Sequence, residues 1–459
     1  MRTPDRTRPA LLPLLVLAAG AFLSCGPRVA DGPWNVLFVL VDTLRADRLS
    51  LYGHHRATSP NLDRFAGDAV VFTTVQAQAG CTFPSVNSLL TSRYPAPFIE
   101  RAAQAGGGKR EMGIPEGMPT LAGILADRGY RTAAVSASPV VRATPSRVNP
   151  VGGFGAGFEV FDEECVKRQN AACVNGRALE LLDGLDEPFL LYLHFMDPHA
   201  PYRPPADHAR RFPDAAFSHR FIGAGNPLPV VRGLKGEGPP VRLTAADVDQ
   251  LGILYDEEVS YFDEQLARLL EALEARGLLE RTVVVLVSDH GEELLEHGEI
   301  GHCWSLTYDT VLGTPLALRI PGVPGGVREA RVQNLDVLPT LLDYLGVAAD
   351  DLGLQGRSLR PAIEEEREVN RYLFALQGRS RAISDGRWKL ILDVETGAAR
   401  LFDLAADPGE TEDLAAAHPE EAGRLLEVLR RWVELEGGGA GSLRAAEEVE
   451  KHLRAVGYL

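Results

Sequence analysis

Thr282-Val283-Val284-Val285-Leu286-Val287-Ser288-Asp289-His290-Gly291-Glu292-Glu293 is the stretch that decides the fold. Its first half is apolar or β-branched without alternation, which predicts a strand covered on both faces and hence a mostly parallel sheet. The polar cluster that follows lies where open α/β sheets bind ligands, beyond the carboxyl ends of their strands. Two further runs of the same kind lie upstream. Asn35-Val36-Leu37-Phe38-Val39-Leu40-Val41 leads into Asp42, and Phe189-Leu190-Leu191-Tyr192-Leu193-His194-Phe195 leads into Met196-Asp197-Pro198-His199. A lone Asp after a strand is usually a cap or turn residue, and a lone His is usually structural. Three such clusters at one sheet edge predict a site.

Working outward, helical spacing runs from Thr244 to Arg276, and shorter helices are predicted over Met118–Arg128 and Val337–Leu345. Strands alternating with helices give an α/β layer architecture. From about Asn370 the pattern shifts to short strand-like pieces, Arg371–Leu376, Trp388–Leu392 and Arg400–Phe402, and then a helix over Pro419–Leu435. The expected organisation is a catalytic domain over 34–365 and a small C-terminal subdomain over 370–459. Gln104–Lys109 and Arg203–Pro240 read as surface excursions. Arg203, Arg210, Arg211 and Arg220 in the second either meet an anionic substrate or are solvated charges.

The chain has 459 residues, 47 Lys+Arg against 63 Asp+Glu, and a net charge of −16. At 45% hydrophobic and 24% charged it has enough apolar material for a large core, which excludes a mainly disordered chain. The acidic balance argues against a sequence-independent nucleic-acid binder, so no nucleic-acid partner is expected. Arg2, Arg6 and Arg8 precede an apolar run, Ala10–Leu23, that is too short for a membrane-spanning helix and reads as a signal-peptide core. Phe22-Leu23-Ser24-Cys25-Gly26 is similar to a bacterial lipobox, which would make residues 1–25 a leader and Cys25 the lipidated residue. Plain secretion with cleavage elsewhere is the alternative. Either reading puts the protein outside the cytoplasm, in the periplasm or on the outer surface, and leaves membrane contact to that anchor alone.

Asp42, Asp289 and His290 suit one divalent cation, Ca²⁺, Mn²⁺ or Zn²⁺. His199 and His302 fit as cationic or hydrogen-bonding groups around an anion. Gly80-Cys81-Thr82-Phe83-Pro84-Ser85 is predicted to open a helix, with Pro in the first turn and Thr a good N-cap. Helix N-termini attract anions. Thr82 is therefore either a nucleophile meeting a tetrahedral anion or merely the cap, and this segment alone leaves both open.

These segments together resemble the sulfatase family of the alkaline-phosphatase superfamily. The resemblance is carried by Asn35–Gly53, Thr58-Ser59-Pro60-Asn61-Leu62-Asp63-Arg64-Phe65, Asp197-Pro198-His199-Ala200-Pro201-Tyr202, Ser288–Glu293, Asp336–Leu342, Phe402-Asp403-Leu404 and Asp407-Pro408-Gly409-Glu410. It implies an alkaline-phosphatase-like three-layer sandwich with a mostly parallel central sheet, plus a small C-terminal sheet-and-helix subdomain. It also implies metal ligands Asp42, Thr82, Asp289 and His290, with Thr82 the nucleophile. His199 and His302 are implied as anion contacts and acids for the leaving group. His194 is at the same strand end, either as a substrate contact or as a structural residue.

The departures are equally specific. Formylglycine sulfatases carry Cys-x-Pro-x-Arg, whereas here Thr82 stands two before Pro84, Cys81 is one place early and Val86 holds the Arg position. Cys81 is therefore not expected to become formylglycine. Thr43 replaces the second opening Asp, about Ser136–Pro139 replaces the segment with the sulfate-binding Lys and His, and His302 replaces a Lys. A Thr ester has no easy elimination route, so water or an alcohol must displace it directly, which tilts the chemistry toward phosphoryl groups. Three classes follow: a metal-dependent hydrolase of sulfate (or phosphate) esters, a Thr-dependent phosphodiesterase or envelope phosphotransferase, and an anion-binding homologue without turnover. The substrate would be a small anionic ester or a sulfated or phosphorylated glycan or lipid. Of the remaining cysteines, Cys165 and Cys173 are close enough in sequence to close a short loop. Cys81 and Cys303 flank Thr82 and His302, which the resemblance puts at one site, and form either a second bridge or two buried thiols.

Overall fold

The computed structural model describes residues 33–104, 112–209, 238–303 and 307–435, together with 211, 212, 230, 232 and 233. The leader, Cys25, and most of both surface excursions lie outside the described residues. In chain order the strands of the first part are β1 Asn35–Val41, β2 Val70–Gln76, β3 Arg131–Ser136, β4 Val160–Asp162, β5 Phe189–Phe195, β6 Thr282–Ser288, β7 Glu293–Leu294, β8 Ile300–Gly301, β9 Leu316–Arg319 and β10 Gly326–Gln333. Eight of them form one sheet in the order β10-β2-β9-β6-β1-β5-β3-β4, and β7 and β8 form a separate hairpin. Only β9 runs against its neighbours, β2 and β6. The three apolar runs of the sequence are the adjacent central strands β6, β1 and β5, paired in parallel along their lengths.

Each of these strands feeds two cores. Val36, Phe38 and Leu40 pack in one apolar cluster and Leu37, Val39 and Val41 in another, as the period of two requires. The first cluster is closed by helices α2 Thr82–Thr91, α3 Ala96–Gln104, α4 Leu121–Ala126 and, later in the chain, α8 Val337–Tyr344. The second is closed by α1 Pro60–Phe65, α5 Ala171–Leu182 and α6 Ala245–Ala275. That makes three layers, helix on sheet on helix. The long α6 begins at a capping box: the Thr244 hydroxyl accepts from the Asp247 N–H, and the Asp247 carboxylate accepts from the Thr244 N–H. The shorter helix predicted over Met118–Arg128 is trimmed to α4, with Thr120 as its cap.

Short helices α7 Asp309–Leu312 and α9 Arg360–Glu364 lead toward the C-terminal part. There β11 Leu373–Gln377, β12 Ser380–Ser384, β13 Trp388–Asp393 and β14 Ala399–Asp403 form an antiparallel meander, followed by α10 Pro419–Leu435. One face of the meander carries Ile383, Leu390 and Leu401 against Leu425, Leu429 and Trp432 of α10. The other presents Ala375, Ala382, Ile391 and Phe402 to Tyr308 and Leu312 of the large sheet domain. The fully buried Lys389 pins this junction, pairing with Asp309 at 2.5 Å and Glu410 at 2.9 Å.

Candidate active site

Strand parity explains why the polar residues meet. Asp42 continues the parity of Phe38 and Leu40, His194 that of Leu190 and Tyr192, and Asp289 that of Val285 and Val287. Those apolar residues all face the core on the α2 side of the sheet. Helix α2 sits on that side. Its N-cap is Cys81, with extended φ −156° and ψ 138°, and Thr82 is the first helical residue. The capping role is thereby excluded for Thr82: its hydroxyl lies one position too late and turns to the sheet. Thr82 Oγ1 is 3.2 Å from His290 Nε2 and 3.5 Å from Asp42 Oδ2. The first-turn N–H groups of an α-helix have no intrahelical partner, so their positive end is directed at the same point.

Asp42, Asp289 and His290 bring one ligand atom each to within 4.8 Å of one another, all fully buried. Among the described residues, Asp42 Oδ1 and Asp289 Oδ2 are buried without a hydrogen-bond partner. Burial, and then repulsion from Asp42, drives the Asp289 carboxyl well above the usual range. Burial also acts to raise Asp42, but the hydrogen bond with His194 and the charges of His199, His194 and His290 outweigh it and hold that carboxyl low. Two apposed buried carboxylates with open oxygens are unfavourable unless a cation joins them. The donor set, with Thr82 Oγ1 beside it, thus fits a divalent cation that keeps a position for substrate. Thr43 follows Asp42 at φ 56°, a left-handed conformation that costs a β-branched residue roughly 1–3 kcal/mol. From there its N–H donates to Asp289 Oδ1 at 3.2 Å.

Three histidines share one arrangement. Nδ1 of His290 faces the Gly291 carbonyl at 2.8 Å, Nδ1 of His199 the Ala200 carbonyl at 2.5 Å, and Nδ1 of His302 the Glu292 carboxylate at 3.0 Å. A ring anchored at Nδ1 presents Nε2, the atom that binds a metal or moves a proton. The His302 ring lies 4.7 Å from that of His290 and 4.9 Å from that of His199, centroid to centroid. His194 differs. Its Nε2 is 3.1 Å from Asp42 Oδ2 and its Nδ1 is 3.0 Å from the Tyr192 hydroxyl. Both nitrogens are engaged and the ring is fully buried, which sets His194 behind Asp42.

Asp42, Thr82, Asp289, His290, His199 and His302 are therefore brought together. Glu292, Tyr192 and Tyr202 lie in stretches that the sequence singles out, but no role is read for them there. Tyr192 could have been found, since it shares a strand face with His194 at i, i+2. Two disulfides are present, Cys81–Cys303 and Cys165–Cys173. The first ties the residue before Thr82 to the residue after His302, and the Cys303 N–H donates to the Gly80 carbonyl at 2.7 Å beside it.

Residues 34–347 match the profile of the family described as Sulfatase, and residues 296–431 that described as N-sulphoglucosamine sulphohydrolase, C-terminal. An arylsulfatase of Clostridium perfringens is 24% identical over 485 aligned positions, covering 89% of this chain and 95% of its own. A protein solved in complex with its substrate D-glucosamine-2-N,6-O-disulfate superposes with a TM-score of 0.71 at 19% identity, over 90% of this chain and 99% of the other. The phosphonate monoester hydrolase of Agrobacterium radiobacter superposes with a TM-score of 0.69 at 21% identity, over 88% and 96%.

Proposed function

Because this chain belongs to the sulfatase family, we propose that it hydrolyses anionic esters, sulfate esters first, with one divalent cation held by Asp42, Thr82, Asp289 and His290. The observation that carries the reading is the Thr82 hydroxyl, first in its helix, 3.2 Å from His290 and 3.5 Å from Asp42. A cation bound there would act as a Lewis acid on the ester oxygens and would make the Thr82 hydroxyl a better nucleophile. Thr82 Oγ1 attacks sulfur or phosphorus as its proton passes to the Asp42 carboxylate, 3.5 Å away, and the bond to the leaving oxygen breaks in line; the proton returns to Oγ1 when the group leaves Thr82. The first-turn N–H groups of α2 face the charge that builds on the transferred group. His302 or His199 gives a proton through Nε2 to the leaving oxygen. Water, deprotonated by the same imidazole, then displaces the group from Thr82.

A sulfated sugar is the preferred substrate class, on the strength of the fold neighbour solved with a glucosamine disulfate. A second reading, a phosphodiester or phosphonate monoester, is favoured by Thr82 itself, since a Thr ester must be cleaved by direct displacement. The phosphonate monoester hydrolase neighbour supports it. We place the protein outside the cytoplasm, in the periplasm or on the outer surface, anchored through Cys25. The leader sequence and the two disulfides support this reading. The test is turnover of an aryl sulfate, an aryl phosphate, a bis-aryl phosphate and an aryl phosphonate by metal-loaded protein. Turnover of none, with metal bound, would leave only an anion-binding role.

A further inference from the structure

We propose that Glu292 is the positioning residue that makes His302, rather than His199, the proton donor to the leaving group; this rests on the ester-hydrolase reading above. The hairpin register builds the pair. Glu293 opposes Gly301 and Leu294 opposes Ile300 across β7 and β8, so the next step outward sets Glu292 opposite His302. Both side chains are buried, and Glu292 Oε1 meets His302 Nδ1 at 3.0 Å. The second carboxylate oxygen accepts from the Tyr202 hydroxyl at 2.7 Å. Tyr202 packs edge-on against Tyr255, whose own hydroxyl donates to the Thr43 carbonyl at 2.6 Å. The backbone of Glu292 is held as well, its carbonyl accepting from Arg45 at 2.8 Å. The next residue, Cys303, is bonded to Cys81.

His302 is thus held through its ring and through its chain neighbour, and among the described residues its Nε2 is buried without a hydrogen-bond partner. His199 is anchored at Nδ1 by its neighbour's carbonyl. An imidazole N–H bonded to a carboxylate is charge-assisted, roughly twice as strong as one bonded to a carbonyl, and holds its ring more firmly. A purely structural role for Glu292, as a satisfied buried carboxylate, predicts no dependence on the leaving group.

The experiment compares wild type, Glu292→Gln, His302→Gln and the double variant, each with metal content verified. Two substrates of one anionic centre are used, one with a 4-nitrophenolate and one with an alkoxide leaving group. Glu292→Gln keeps an acceptor for Nδ1 but not the charge. It is expected to lower kcat on the alkyl ester about 10- to 100-fold, with under about 3-fold loss on the nitrophenyl ester and KM nearly unchanged. The double variant is expected to be no worse than His302→Gln alone. Equal losses on both esters, or additive losses in the double variant, would overturn the proposal. A ¹⁵N-edited imidazole spectrum gives a reading independent of turnover. A protected Nδ1–H absent in His302→Gln is expected in wild type and shifted upfield in Glu292→Gln, and its absence from wild type also overturns the proposal. If wild type cleaves neither ester, the ester-hydrolase reading fails and this spectrum still decides whether Glu292 holds His302.

Discussion

Cys81 and Cys303 are bonded across 222 residues of sequence, and each is the chain neighbour of a group in the site, Thr82 on one side and His302 on the other. The bond joins the helix that begins at Thr82 to the hairpin that leads into His302. The Cys165–Cys173 bond spans 8 residues and ties only the local turn before α5 to the first turn of that helix. Chain entropy gives a long crosslink more stabilisation than a short one, about 5 against about 2.5 kcal/mol in the simple model. Replacing Cys81 and Cys303 with Ser is therefore predicted to lower the denaturation midpoint more than replacing Cys165 and Cys173, and to lower kcat as well. Equilibrium unfolding and turnover of the two double variants check this. Equal midpoints with full activity would mean that the long bond is not a link between nucleophile and acid.

His194 supports Asp42 from behind, with Tyr192 behind it in turn. Residues in that position commonly govern metal affinity by about 10- to 100-fold. His194→Ala is predicted to weaken metal binding by that order while leaving the fold intact. Chelator competition measures it, and unchanged affinity would show that Asp42 needs no support.

The two buried carboxylates carry a pH signature when metal is removed. Asp289 is pushed upward by burial and by Asp42, so the folded state holds its proton more tightly than the unfolded state. Its contribution is fully present below the ordinary carboxylate range and is lost as pH rises through the raised value. Metal-free protein is predicted to lose thermal stability as pH rises, Asp289→Asn to flatten that slope, and divalent cation to restore the wild type alone. A metal-free wild type whose melting temperature ignores pH in parallel with Asp289→Asn speaks against a cation site.

A second proton-holding group begins in the loop that carries His199. Burial raises Asp197 to about 7, and Glu258, apposed to it, is raised by burial and by Asp197. The stabilisation is whole below about pH 4 and is lost as pH rises through about 7. Asp197→Asn keeps an acceptor oxygen for protonated Glu258 and is predicted to reduce the loss across that window in a melting-temperature series. A variant that follows the wild-type curve would place the titration elsewhere.

The central sheet was legible because β1, β5 and β6 are continuous apolar runs, buried on both faces, and such runs have few other uses. The flanking strands were not. Four of the six residues of Arg131–Ser136 are alanine or small polar residues, and Val160–Asp162 is three residues long, so neither carries a period. At the site, strand ends announced Asp42 and Asp289, and the resemblance joined Thr82 to them. The role of Thr82 turned on a one-residue shift in the helix start, which sequence rules do not resolve. The pairing of Glu292 with His302 depends on the register of a two-residue hairpin, and nothing in so short a strand sets that register from its own pattern. His194 was visible but undecided, because only the contacts of both ring nitrogens tell support from substrate binding.

The most direct measurement of the whole account is turnover by Thr82→Ala, with metal content and folding verified, beside Thr82→Ser as the conservative control. In a site where Thr82 forms the bond to the transferred group, Thr82→Ala should lose about 10³-fold or more in kcat on an aryl sulfate or phosphodiester. Thr82→Ser should retain measurable turnover, and a quenched reaction of either active form should carry the transferred group on the peptide that contains residue 82. Full activity in Thr82→Ala with metal bound would contradict the account, since the nucleophile would then be something other than the hydroxyl at the head of α2.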